Sequence, residues 1–158
     1  MDEIYSKYSS IIYKYLLGLT KNKELAEELL QETFYSAILH YDKLKNDNDK
    51  ILNWLYIIAK NKWKDYLKKK SKIKQIPLNE NLIEEYSYEN EVELNDEKKR
   101  LYEKINKLNP ISKKVILMKI NTELTFKEIG EILGKNESWA KTIYYRANNK
   151  LREEMKDG

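Results

Sequence analysis

Apolar residues recur at three- and four-residue steps in run after run of this chain, which leaves it one way of building a core: packed amphipathic helices. In "SKYSSIIYKYLLGLT" the series is Tyr8, Ile11, Ile12, Tyr15, Leu16 and Leu19. In "KELAEELLQETFYSAILHY" it is Leu25, Ala26, Leu29, Leu30, Thr33, Phe34 and Ala37, with Glu24, Glu27, Glu28 and Glu32 on the other face. A third run, "ILNWLYIIAKNKWKDYLKKK", begins apolar and ends basic. "DEKKRLYEKINKL" carries Leu101, Ile105 and Leu108, and the next run offers Val115, Ile116, Met118 and Ile120 for burial. Helix punctuation separates the runs. Asn22 can cap through its side-chain oxygen, Asn109-Pro110 is a start signal, and Thr125 with Glu128 makes a capping box.

Charge divides the chain in three. Residues 1–70 hold 13 basic and 10 acidic side chains, net +3; residues 71–97 hold 2 and 8, net −6; residues 98–158 hold 15 and 8, net +7. The middle, "SKIKQIPLNENLIEEYSYENEVELNDE", contains the first proline and no sustained helical phase, so it reads as a linker. The expected fold is therefore all-α, with two small helical domains, 1–70 and 98–158, joined by a flexible acidic linker over 71–97. No stretch approaches the roughly 18 apolar residues of a membrane span, and "MDEIYSKYSS" lacks the order of a signal peptide. With no cysteine for disulfides, a soluble, cytoplasmic protein without membrane insertion is expected.

Catalysis finds no foothold. His40 is the only histidine and has no cysteine or second histidine to share a metal with. The glutamates of the second run are spaced as a solvated helix face, and no glycine-rich phosphate loop exists. Neither metal nor cofactor is expected, and no enzymatic activity. In the third run Lys60, Asn61, Lys62, Trp63, Lys64 and Tyr66 interleave cations with rings, a pattern suited to unpaired nucleic acid. The lysines Lys68 to Lys70 equally suit the negative end of a helix dipole. Trp54 and Phe34 lie in apolar stretches and are expected in the core.

The C-terminal sequence "LTFKEIGEILGKNESWAKTIYYRANNKL" has the layout of a helix-turn-helix. Its short helix turns Phe126, Ile129, Ile132 and Leu133 inward, Gly134 can take the left-handed C-cap, and Asn136 caps a longer basic helix. Gly130 suits a close crossing. With Ala140, Ile143, Ala147 and Leu151 held inward, Lys141, Thr142, Tyr145 and Arg146 project from the half of the helix that enters a major groove. Lys113, Lys114 and Lys127 are candidates for phosphate contacts.

Three segments, in order, resemble the sigma-70 superfamily of bacterial initiation factors, in its compact extracytoplasmic-function (ECF) type. "AEELLQETFYSAI" is similar to the family segment that docks on the clamp coiled coil of the polymerase largest subunit, which implies docking roles for Glu28, Gln31, Glu32 and Phe34. "NWLYIIAKNKWKDYLKKK" resembles the helix that opens the minus-ten element. The resemblance implies DNA contacts for Tyr56, Lys60, Asn61 and Lys64, and a pocket for an extruded base around Lys45, Asn46, Asp47 and Asn48. "LTFKEIGEILGKNESWAKTIYYRANNKLRE" resembles the minus-thirty-five reader and implies contacts from Glu137, Ser138, Lys141, Thr142, Tyr145 and Arg146. The implied partners are core RNA polymerase, met through its clamp coiled coil and flap, promoter DNA, and in many members of the subclass an anti-sigma factor. The linker, with eight carboxylates between Glu80 and Glu97, would imitate a polyanion in the polymerase channel or serve as a solubilising spacer. The chain departs from the family pattern at Ile57, Ile143 and Asn148, where bases are usual, at Trp139, usually small, and at Gly130, usually alanine. Two rivals remain at this point: a helix-turn-helix regulator acting without polymerase, and a helical interaction protein whose DNA surface has decayed.

Overall fold

The computed structural model describes residues 1–43, 50–74 and 95–156, and among these every regular element is helical. Helix α1 (Asp2–Thr20) and α2 (Lys23–His40) form a hairpin closed by a tight turn. Lys21 ends α1 in the left-handed region at φ 52°, and the Asn22 side chain accepts the Leu25 N–H at 3.0 Å. A 3-10 turn, Tyr41–Lys43, follows α2, and α3 (Ile51–Lys74) then packs across both helices. The shared core holds Ile12, Tyr15, Leu16, Leu29, Phe34, Leu55, Ala59 and Trp63. This is the burial pattern that the three- and four-residue steps predict.

Three expectations for side chains change. Trp63, flanked by lysines in sequence, is fully buried and stacks on Tyr66 with centroids 5.8 Å apart. Its indole N–H finds no acceptor among the described residues, a loss of about 1–3 kcal/mol. Removing about 150–250 Å² of ring from water outweighs that at about 25 cal/mol per Å², so Trp63 is a core residue and offers no stacking platform. Trp54 is only half-buried, at the margin of the core. In the second half Ile120 is 44% exposed while Leu117 is buried in its place. Leu117 joins a buried cluster with Tyr102, Ile105, Ala147 and Leu151, and periodicity alone does not tell which of two apolar stripes the neighbouring helices choose.

The second half comprises α4 (Asp96–Asn106), α5 (Pro110–Asn121), α6 (Phe126–Ile132) and α7 (Glu137–Lys156). Two of these starts follow the sequence signals: Asn109 caps α5 with Pro110 in its first turn, and the Thr125–Glu128 capping box is complete in both directions. The cap of α4, Asn95, comes from the stretch assigned to the linker. Tyr102, Ile105, Leu108, Ile116, Leu117, Ala147 and Leu151 form a cluster binding α4, α5 and α7.

The two halves meet. Val115, Met118, Leu124, Ile129, Ile132 and Ala140 belong to the same buried cluster as the core of the first three helices. Lys14 of α1 reaches both carboxylate oxygens of Glu128 at 3.1 and 3.2 Å. Lys21 Nζ donates to the Asn121 carbonyl at 2.8 Å, and Asn53 Nδ2 to the Ile132 carbonyl at 3.0 Å. A Cβ on Gly18 would lie 2.4 Å from Thr122 Cγ2 and 2.6 Å from the Asn121 carbonyl, so only glycine admits this approach.

Candidate nucleic-acid and docking surfaces

The geometry of the helix-turn-helix comes from its turn. Gly134 takes φ 73°, the left-handed position that glycine adopts without steric cost. The Lys135 N–H donates back to the Gly130 carbonyl at 2.7 Å, and a Cβ on Gly130 would stand 2.6 Å from the Asn136 carbonyl. The close crossing expected at Gly130 is thus made by the backbone of the turn itself. Asn136 Oδ1 accepts the Trp139 N–H at 2.8 Å, which starts α7. Ala140, Ala147 and Leu151 are buried and Ile143 is half-buried, so the inward stripe is set.

Glu137, Ser138, Lys141, Thr142, Tyr145 and Arg146 are all exposed on the opposite side. Lys141 pairs with Glu137 one turn earlier at 3.3 Å, both side chains about half exposed. A pair of this kind is worth about 0.3–0.5 kcal/mol, too little to hold the ammonium away from a nucleic acid. The Tyr145 ring, 54% exposed, leans against Phe126 at 5.9 Å and Tyr144 at 5.3 Å. Lys119 stands 4.4 Å over the other side of the group, on the Phe126 ring. Sequence reasoning missed this aromatic cluster, because Phe126 was assigned wholly to the core and is only half-buried. Lys127 is exposed, and Lys113 and Lys114 are half-buried.

On α3, residues Ile57, Asn61, Lys64 and Lys68 follow one another at three- and four-residue steps and form an outer stripe. Asn61 is exposed, and Lys60 and Lys64 are half-buried. Tyr56 sits a row deeper. Its ring is 1% exposed, packs edge-on against Tyr15 at 5.1 Å, and lies 5.5 Å beneath the Lys60 ammonium. In this arrangement Tyr56 supports Lys60 from below. Lys45, Asn46, Asp47 and Asn48, like the acidic stretch from Glu80 to Glu93, lie outside the described residues.

On α2, Glu28, Gln31 and Glu32 are exposed, whereas Phe34 is buried under Tyr5 with centroids 4.9 Å apart. The three polar residues line a groove between α2 and α3 that also holds Tyr35, Lys62, Asp65 and Lys69. The same face continues into Tyr35, Ile38 and Leu39, which are 66%, 55% and 62% exposed. These apolar residues were absent from the sequence-based set, although their steps from Gln31 and Glu32 mark them as a second helix face. A polar start and an apolar end give α2 a surface suited to another helical protein. Among the described residues no group of His, Cys, Asp or Glu is placed to hold a metal, and no helix is long and apolar enough to cross a membrane.

Comparison with known proteins agrees with this layout. Residues 4–73 match the family model of sigma-70 region 2, and residues 105–153 match that of sigma-70 region 4. The chain is 31% identical over 156 residues to the ECF RNA polymerase sigma factor SigM of Bacillus subtilis, covering 96% of this chain and 93% of SigM. It is 28% identical over 159 residues to the RNA polymerase sigma factor YlaC of the same organism, covering 98% of this chain and 91% of YlaC. Among solved structures, the sigma factor RpoE of Bartonella quintana, crystallised with the anti-sigma factor NepR, shares the fold at a TM-score of 0.50 and 19% identity, over 98% of this chain and 96% of RpoE. With helices α1–α3 falling within one region match and the helix-turn-helix within the other, and with SigM matched over nearly its whole length, the chain belongs to the sigma-70 family as an ECF-type RNA polymerase sigma factor.

Proposed function

We propose that this protein binds core RNA polymerase and directs it to promoters, residues 1–70 docking on the polymerase and capturing the minus-ten element while residues 98–158 read the minus-thirty-five element. The observation that carries this reading is the α7 surface: four side chains of groove-reading chemistry, Lys141, Thr142, Tyr145 and Arg146, stand exposed on a helix whose other side is locked into the domain. Lys and Arg match guanine acceptors, and Thr or a ring matches a thymine methyl. Glu137 and Ser138, in the first turn, lie nearest the bases or phosphates. On α3, Lys60, Asn61 and Lys64 follow the opened strand, Tyr56 backs Lys60, and Lys45 to Asn48 complete the pocket for an unpaired base. The stretch 71–97 is the tether between the two modules. The stand-alone regulator is not favoured, since both sigma-70 regions match in one chain.

Docking falls to the α2 face of Glu28, Gln31 and Glu32, which we extend to Tyr35, Ile38 and Leu39, with Phe34 holding the helix in place; the partner is the clamp coiled coil, and the second domain meets the flap. The protein has no catalytic activity of its own and acts in the cytoplasm, where its polymerase is. An anti-sigma factor is a fitting restraint, as RpoE is crystallised with one. Immobilised protein should capture core polymerase at near-physiological salt. Glu32→Lys, at an exposed position, should lower that affinity roughly tenfold or more with helicity unchanged, equivalent to about 1.4 kcal/mol. Equal capture by the wild-type and the variant removes Glu32 from the docking surface, and no capture by either rejects the function.

A further inference from the structure

We propose that Tyr145 is a thymine reader whose ring is set in place before DNA arrives, with Phe126, Tyr144 and Lys119 as its positioning residues. The proposal deepens the promoter-reading function above and rests on it. The rings form a closed group. Tyr145 stands edge-on to Tyr144 at 5.3 Å and tilted to Phe126 at 5.9 Å, and Phe126 meets Tyr144 edge-on at 5.3 Å, so each ring neighbours the other two. Two of them are anchored from below. Phe126 and Tyr144 are half-buried and pack against the large buried cluster, and Tyr144 also packs against the cluster that binds α4, α5 and α7. Lys119 of α5 holds Phe126 from a further side, its ammonium 4.4 Å over the ring and 3.4 Å from the Leu124 carbonyl. Support thus runs outward from the core to a Tyr145 that is 54% exposed.

What this ring can meet follows from where it stands. Tyr145 lies three residues after Thr142 and four after Lys141, on the exposed face of α7 assigned to the major groove. Bases in a duplex are stacked on one another, so the groove offers a side chain their edges and not their faces. Among the groups on those edges the C5 methyl of thymine is apolar, and the features that mark the other bases are hydrogen-bond donors and acceptors. A ring is therefore matched to thymine, and it gains nothing comparable from cytosine. How much of that contact counts depends on preorganisation. A tyrosine side chain standing alone on a helix divides itself among rotamers and loses that freedom on binding, whereas a ring already held by two others has little left to lose. The aromatic group thus turns one methyl contact into sequence preference. Lys119 and Phe126 belong to α5 and α6, so the selectivity of α7 is set in part by side chains of two other helices.

The test uses the full chain with core polymerase, bound to a promoter fragment whose start site has been mapped by run-off transcription. Each thymine of the upstream element is replaced in turn by uracil, which removes the methyl group and leaves the pairing edge intact. At one position the wild-type should bind the thymine form about fourfold more tightly, what one buried methyl group is worth. Tyr145→Ala should abolish that ratio, and Tyr145→Phe should keep it. Phe126→Leu, which retains an apolar side chain against the core but no ring, should lower the ratio below about twofold with helicity retained. Lys119→Met, which keeps the stem and removes the charge, should lower it in part and serves if Phe126→Leu folds poorly. No preference at any thymine, or a ratio that survives Tyr145→Ala, overturns the proposal. So does a ratio unchanged in both Phe126→Leu and Lys119→Met, which would make those residues packing alone. If no start site depends on the protein, the promoter-reading function is rejected and the proposal falls with it; start sites that persist without methyl sensitivity sink the proposal alone.

Discussion

At the scale of the residue, the helix starts were legible because a cap acts over three residues. Asn22, Asn109, Thr125 and Asn136 each accept the N–H three positions on, and no distant neighbour decides that bond. Trp63 and Ile120 were illegible for the opposite reason. Their burial depends on which helix arrives from elsewhere, and flanking lysines carry no information about that. Glu128 joins both kinds of contact. Burial disfavours its charged form, but the Thr125 N–H and the Lys14 ammonium outweigh this and hold the carboxyl below its ordinary value of 4.5. Its contribution to the capping box and to the domain contact is therefore present at neutral pH and lost only as the pH falls through that lowered value. Gly134 offers the cleanest test at this scale, since a Cβ there meets nothing within 4 Å and only φ 73° opposes it. Gly134→Ala should destabilise the protein by about 1–2 kcal/mol, read from the denaturant midpoint. An unchanged midpoint would mean that the turn is not held in the left-handed region.

The helices as elements were legible from period and caps, and their ends less so. The third run as read ends at Lys70, whereas α3 continues to Lys74, because "SKIK" contains no glycine or proline to stop it. On α2 the buried stripe is legible from its spacing, whereas the exposed face of Tyr35, Ile38 and Leu39 has meaning only under the docking proposed for it. On α7 both faces were readable, since Ala140, Ala147 and Leu151 fix the inward stripe and so fix what points outward. Replacing Lys141 or Arg146 by alanine should cost about 1–3 kcal/mol of promoter affinity if the side chain grips a base in two places. It should also relax preference at one upstream position, as measured by binding to a set of single-base variants. Equal loss on every sequence would demote that side chain to a phosphate contact, and no loss would free it from the interface.

For the whole molecule, two domains and their order were legible, because basic helical halves flank an acidic stretch of different composition. The meeting of the halves was not. Gly18 lies more than 100 residues from Thr122, and nothing local to either announces the other. The same is true of Lys14 and Glu128, 114 residues apart. Such contacts follow from the packing of complete domains, and they make the relation between the two modules a property of the assembled chain. That relation matters for the central claim, that one small protein gives core polymerase its choice of promoter. Run-off transcription on genomic fragments, with start sites mapped for core polymerase alone and with this protein added, tests the claim most directly. Discrete transcripts from fixed start sites, appearing only in the presence of the protein, are predicted. Start sites identical with and without it, under conditions where the two proteins are bound to each other, would contradict the account.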